Sequence, residues 1–147
     1  MVPSVPLVLN GMARTMLMDL LPHNTHAYAG QTLQLGAALA MMCAQEFERA
    51  AARLTEENDA LASLLGEAAA TANDTALRDA LREAASSRCS SLLISELHAH
   101  NRRLRALLIQ LHAHVETMGG DAARALEDRI WGELAQSTRR RQLDIAM

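Results

Sequence analysis

The chain has 147 residues, half of them apolar, yet only Tyr28, Phe47 and Trp131 are aromatic. All fourteen positive side chains are arginine, which excludes Schiff-base chemistry and a phosphate-cradling P-loop, since both need a lysine amine. With a formal net charge of −3, a broad nucleic-acid footprint is not expected.

This length fits one domain, residues 1–147, burying roughly 68–70% of the surface that its unfolded form exposes. The core has to come from Leu, Ala and Met, which are good helix formers and poor strand formers. No β-branched run alternates with polar residues, so the class is all-α. The expected architecture is an antiparallel helical bundle built on two long helices, about 31–70 and 74–118, with a shorter helix at each end.

The first short helix runs from Val5 to Leu21, with Val8, Met12, Met16 and Leu20 on one stripe and Pro22 closing it. Its apolar run is broken by Asn10, Gly11, Arg14 and Asp19 and has no basic segment before it, unlike a signal peptide. The most apolar stretch, Leu33 to Ala44, is shorter than the about 20 residues needed to span a bilayer. A soluble, cytoplasmic protein is expected.

The first long helix carries a heptad-like seam from Leu33 through Ala37, Ala40, Ala44, Phe47, Ala51 and Leu54 to Leu61 and Leu65. Its opposite face adds Leu35, Leu39 and Met42, and a segment apolar all round is normally buried all round. A second copy of the chain is therefore expected to cover Leu35, Leu39 and Met42, making a homodimer. Asp74 or Thr75 is the N-cap of the next helix, within which the polar "SSRCSS" marks a stutter or kink. Gly119 and Gly120 end that helix, and Asp121 caps the last one.

Two His-Ala-His triplets stand out in the second long helix. Neighbouring positions at this spacing point 200° apart, so neither His98 and His100 nor His112 and His114 chelate one ion together. The triplets lie four turns, about 21 Å, apart. His100 and His114 continue the apolar stripe, and Glu96 precedes His100 by four residues, a spacing that permits contact. Aligning the long helices as a hairpin centred near Ala72 places Phe47 opposite Leu97 and Asn101 near Cys43. It also gathers two candidate divalent-metal clusters: Glu46, Glu96 and His100 at mid-bundle, and His23, His26 and His114 at one end. Three imidazoles would suit zinc with an open position. The Glu-x-x-His motif of ferritin-like dinuclear sites is absent.

Cys43 and Cys89 have no metal or redox spacing and fall too far apart for a disulfide. The serines between Ser86 and Ser95 lack a nucleophile elbow. The Arg patches at residues 101–105 and 139–141 read as solvated faces, with weak nucleic-acid binding as the third function considered. No complete catalytic constellation is present. The leading expectation is a homo-oligomeric binding or scaffolding module; the alternative is a metal- or small-molecule-binding bundle using inward His and Glu.

Overall fold

The computed structural model describes residues 3–144, and no strand occurs among them, in keeping with the all-α class. Five α-helices follow one another: α1 (Val5–Arg14), α2 (Ala27–Ala68), α3 (Thr75–Ser86), α4 (Ile94–Thr117) and α5 (Asp121–Arg140). They form two compact units. One comprises the residues up to Ala50 together with the segment from Leu143; the other is Ala51–Gln142. No helix among the described residues is long and apolar enough to cross a membrane.

In the first unit α1 continues into a π-turn, Thr15–Leu20, and a 3-10 turn, Leu21–His23, which contains Pro22. A π-turn holds more residues than an α-turn, so it rotates everything after it relative to a 3.6-residue stripe. The buried face is accordingly Leu9, Ala13, Met16 and Leu17, packed with Ala37, Ala40 and Met41 of α2. Leu20 is left exposed, while the Leu21 side chain lies 3.5 Å from where a Cβ on Gly30 would sit. The expected stripe through Val8, Met12 and Leu20 is thus corrected: all three face outward, and only Met16 turns in. From the segment after α5, the Asp144 N–H donates to Gln45 Oε1 at 2.9 Å, and Gln45 Nε2 donates to the Asp144 carbonyl at 2.6 Å.

The second unit holds the larger core, in which Leu61, Leu65, Leu81, Leu104, Leu111 and Ile130 are essentially sealed from solvent. Each such side chain contributes roughly 1.5–3 kcal/mol relative to exposure. The expected single helix over 74–118 is corrected to two, α3 and α4, with residues 87–93 non-helical between them. The polar run ends α3 by satisfying its last carbonyls with side chains at and just beyond the helix end. Ser86 and Ser87 hydroxyls donate to the Glu83 and Ala84 carbonyls at 2.8 and 2.7 Å, and Arg88 Nη1 donates to the Ala85 carbonyl at 2.8 Å. At the other end of α3 the Asp74 carboxylate accepts the Leu77 N–H at 2.8 Å, as the N-cap reading expects.

That break reverses the expected hairpin. Glu57 pairs with Arg141 and Glu67 with Arg129, so α5 runs antiparallel to the C-terminal part of α2. Arg105 meets Ser137 and His112 meets Trp131, so α5 is also antiparallel to α4. α4 therefore runs parallel to this part of α2, with α3 returning between them. The alignment that set Asn101 beside Cys43 is corrected with it: Asn101 bonds to Asn58 and Glu57. Close approach of α2 and α3 depends on Gly66, where a Cβ would come within 2.9 Å of Ala85 Cβ. Gly120, with φ at 95°, precedes α5 as its N-cap, so Asp121 is the first helical residue instead of the cap.

Candidate functional site

The six residues considered as metal ligands fall in both units. His23 and His26 are exposed near the turn before α2, and Glu46 is half-buried on α2, all in the first unit. Glu96, His100 and His114 belong to the second. Glu96 is exposed and its carboxylate makes no hydrogen bond or ion pair among the described residues, so the support expected for His100 is not formed. Among the described residues no group of three or more His, Cys, Asp or Glu side chains is placed to hold a metal ion. A different i,i+4 pair does approach: His112 Nε2 lies 3.9 Å from Glu116 Oε1. His112 also meets the edge of the Trp131 ring, centroids 5.4 Å apart. Cys43 and Cys89 are both free thiols.

The first unit carries large apolar side chains on its exposed face. Its buried hydrophobics are Ala13, Ala37, Ala40, Ala44 and Ala50. Leu7, Val8, Met12, Met18, Leu20 and Phe47 are exposed instead. On α2, Leu35 and Leu39 are 61% and 50% exposed, and Met42 is half-buried. These lie on a regular row. Tyr28, Thr32, Leu35, Leu39 and Met42 follow at spacings of four, three, four and three, which is the alternation of a coiled-coil seam. Gly30, Ala37 and Ala44, at the positions opposite this seam, include the residues packed toward α1. No charged residue occurs anywhere from Ala27 to Gln45.

Buried in the second unit is a carboxylate, Glu57, whose side chain is 0% exposed. Arg141 clamps it with both guanidinium edges, Nε to Oε1 at 2.9 Å and Nη2 to Oε2 at 2.8 Å. Arg105 Nη2 reaches Oε2 at 3.5 Å and also donates to Ser137 Oγ at 2.5 Å, and Ser137 in turn donates to Oε1 at 3.2 Å. Asn101 completes the ring: its Nδ2 donates to Asn58 Oδ1 at 2.9 Å, and its Oδ1 accepts from Arg105 Nε at 3.0 Å. Burial alone would raise the Glu57 pKa, but the Arg141 and Arg105 guanidiniums and the Ser137 hydroxyl outweigh it and hold the carboxyl at about 2. Such a carboxylate is too weakly basic to take a proton near neutral pH, and its acceptor oxygens are occupied. Its role is to join α2, α4 and α5.

Arg105 and Arg141 therefore do more than stand on a solvated face: both pair with the buried Glu57, Arg141 while still 47% exposed. Arg140 is likewise engaged, with Glu133 at 2.7 Å. The network had a signal in the sequence. The apolar stripe of α2 skips from Leu54 to Leu61, and that of α4 from Leu97 to Leu104. Glu57 and Asn58 fill the first gap, and His100 and Asn101 fill the second.

A groove of about 640 Å³ lies between α3 and α4, with Ala80 and Ala84 on one wall and His100, Arg103, Leu107 and Gln110 on the other. His100 is only 5% exposed and makes no hydrogen bond among the described residues. Burial lowers its pKa, the Arg103 and Arg88 charges lower it further, and Asp59 opposes them. Beyond Gln110 the groove meets a second cavity of about 400 Å³ bordered by Asp74, Leu77 and His114. The His114 Nε2 atom is buried without a hydrogen-bond partner among the described residues.

No family model, curated protein or solved structure matches this chain. Its chemistry has to be read from its own side chains.

Proposed function

We propose that this protein is a self-associating helical module, a scaffold whose first unit pairs with the same unit of a second copy along the Tyr28–Met42 row of α2. The observation that carries this is the outer face of the first unit: its fully buried residues are all alanines, backed by partly buried Leu9, Met16, Leu17 and Met41, while Leu35, Leu39 and Phe47 stand exposed. Large apolar side chains lose roughly 1.5–3 kcal/mol each by standing in water when they could be covered. A 3.5-residue seam is complementary to a copy of itself under two-fold symmetry, which is why a second copy is the occupant. The flanking positions Gln31, Ala38, Cys43 and Gln45 are uncharged, so two copies meet no like-charge penalty there.

Sedimentation equilibrium of the full chain tests the reading. The 16.0 kDa protein is expected to approach twice that mass as concentration rises through the micromolar range. The double variant Leu35→Glu, Leu39→Glu is expected to remain at the single-chain mass with an unchanged helical circular dichroism spectrum, because both side chains already face outward. A single-chain mass for the unaltered protein at tens of micromolar, or pairing undiminished in the double variant, would refute it.

A further inference from the structure

We propose that the groove between α3 and α4 is a binding site for an amphiphilic organic anion, with its carboxylate or phosphate head at His100, Arg103 and Arg88 and its apolar body along Ala80, Ala84 and Leu107. The inference does not depend on self-association, since every residue it uses lies in the second unit. The volume of about 640 Å³ falls within the few-hundred to thousand range typical of small-molecule sites. It arises because α3 turns Ala76, Ala80 and Ala84, spaced by four, toward the broader side chains of α4.

The polar groups point to the head. The His100 ring lines the groove and makes no side-chain hydrogen bond among the described residues, and its nitrogens are not sealed from solvent, so they can meet a ligand there. Arg103, one turn further along α4, makes no hydrogen bond or ion pair among the described residues, leaving its planar donors available for two oxygens of one ligand group. Arg88 already donates Nη1 to the Ala85 and Ser87 carbonyls, which fixes its side chain at the same end. Those contacts, with the Ser86 and Ser87 hydroxyls, also cover the carbonyl end of α3 that would otherwise repel an anion.

Charge sets the ligand's direction. Glu83 stands on the α3 side of the groove, and Asp74 borders the far cavity beside His114. An anionic group is repelled at the Asp74 end and attracted between Arg88 and Arg103, so the body extends toward Gln110. The head on arrival favours the protonated form of His100, against Arg103 and Arg88 and together with Asp59 of α2 and Glu83 of α3.

The test is a titration of the full chain with decanoate and, separately, with decyl phosphate and inorganic phosphate, followed by NMR of the backbone amides and of the histidine ring protons. Saturable shifts at Ala80, Ala84, Leu107 and the His100 ring are expected for one or both decyl compounds, the stronger of the two naming the head group. Their binding should raise the pH at which His100 titrates. Inorganic phosphate should bind at least tenfold more weakly. Arg103→Gln, an exposed site that folding does not need, should weaken binding about tenfold, a loss of about 1.4 kcal/mol. Ala84→Phe should fill the groove and abolish binding. Shifts confined to residues 5–50, no saturation at millimolar ligand, or unaltered affinity in Arg103→Gln would overturn the proposal. So would inorganic phosphate binding as tightly as the decyl compounds.

Discussion

Replacing Glu57 by Gln keeps the shape of a sealed side chain and removes its charge, so it isolates what the clamp of Arg141 and Arg105 contributes. The carboxyl is held at about 2, against an ordinary value of 4.5. That difference corresponds to about 3 kcal/mol of stability at neutral pH. Because the folded pKa is the lower one, the contribution is complete above the unfolded pKa and is lost as pH falls toward 2. By pH 3 about 2 kcal/mol of it is gone. Urea unfolding followed by circular dichroism should therefore find Glu57→Gln about 3 kcal/mol less stable than the unaltered chain at pH 7, the order expected for breaking a buried ion pair. The gap should narrow by about 2 kcal/mol at pH 3, because the native carboxylate is by then being protonated on unfolding while the amide is indifferent. Comparing the two proteins at each pH cancels every other titrating group. A gap of the same size at both pH values would mean that the Glu57 carboxyl is not depressed, and the assignment of the network would fail.

Two further substitutions test the packing. Gly66→Ala raises helix propensity by about 1 kcal/mol but drives a methyl against the Ala85 Cβ on an adjoining helix, and overpacking of this kind costs about 1–3 kcal/mol. A lower urea midpoint is expected, and a higher one would show that α2 and α3 are not in close contact there. Leu65→Ala should destabilise by about 2–5 kcal/mol, whereas Leu92→Ala, at a side chain 76% exposed, should stay within about 0.5 kcal/mol. Equal effects on the melting temperature would contradict the assignment of the core.

What was legible in the sequence was whatever depends on local pattern. Leu, Ala and Met in place of β-branched residues gave the helices, Asp74 announced the start of α3, and the Gly119–Gly120 pair separated α4 from α5. Chain direction was not legible in the same way. A run of small polar residues fits a kinked helix and a true break equally well by propensity, and the choice was made by Ser86, Ser87 and Arg88 turning back onto the carbonyls of α3. Once that break is present, α4 runs along α2 instead of against it, and every long-range pairing based on a simple hairpin shifts. The π-turn after Arg14 is a second case, since a stripe counted at 3.6 residues per turn cannot anticipate an added residue.

The histidines divide along the same line. That His100 turns inward follows from its heptad distance to the stripe, and it is indeed buried. That it faces a groove follows from the alanines of α3, which lie on a different helix and carry no mark of their own. Glu57 was concealed for a related reason. A charged residue at a stripe position reads as an interruption until the arginines that neutralise it, far along the chain at Arg105 and Arg141, are brought to it.

The pairing of Gln45 with Asp144 and of Glu57 with Arg141 bears on how the polypeptide is completed during synthesis. The two members stand 99 residues apart in the first pair and 84 in the second, so the earlier one leaves the ribosome long before its companion exists. A nascent fragment stopped short of Arg141 would have to leave Glu57 in water, holding α2, α4 and α5 apart, or bury an ion with only Arg105 near it. The bidentate partner of the sealed Glu57 carboxylate is thus supplied by a residue that follows the last helix.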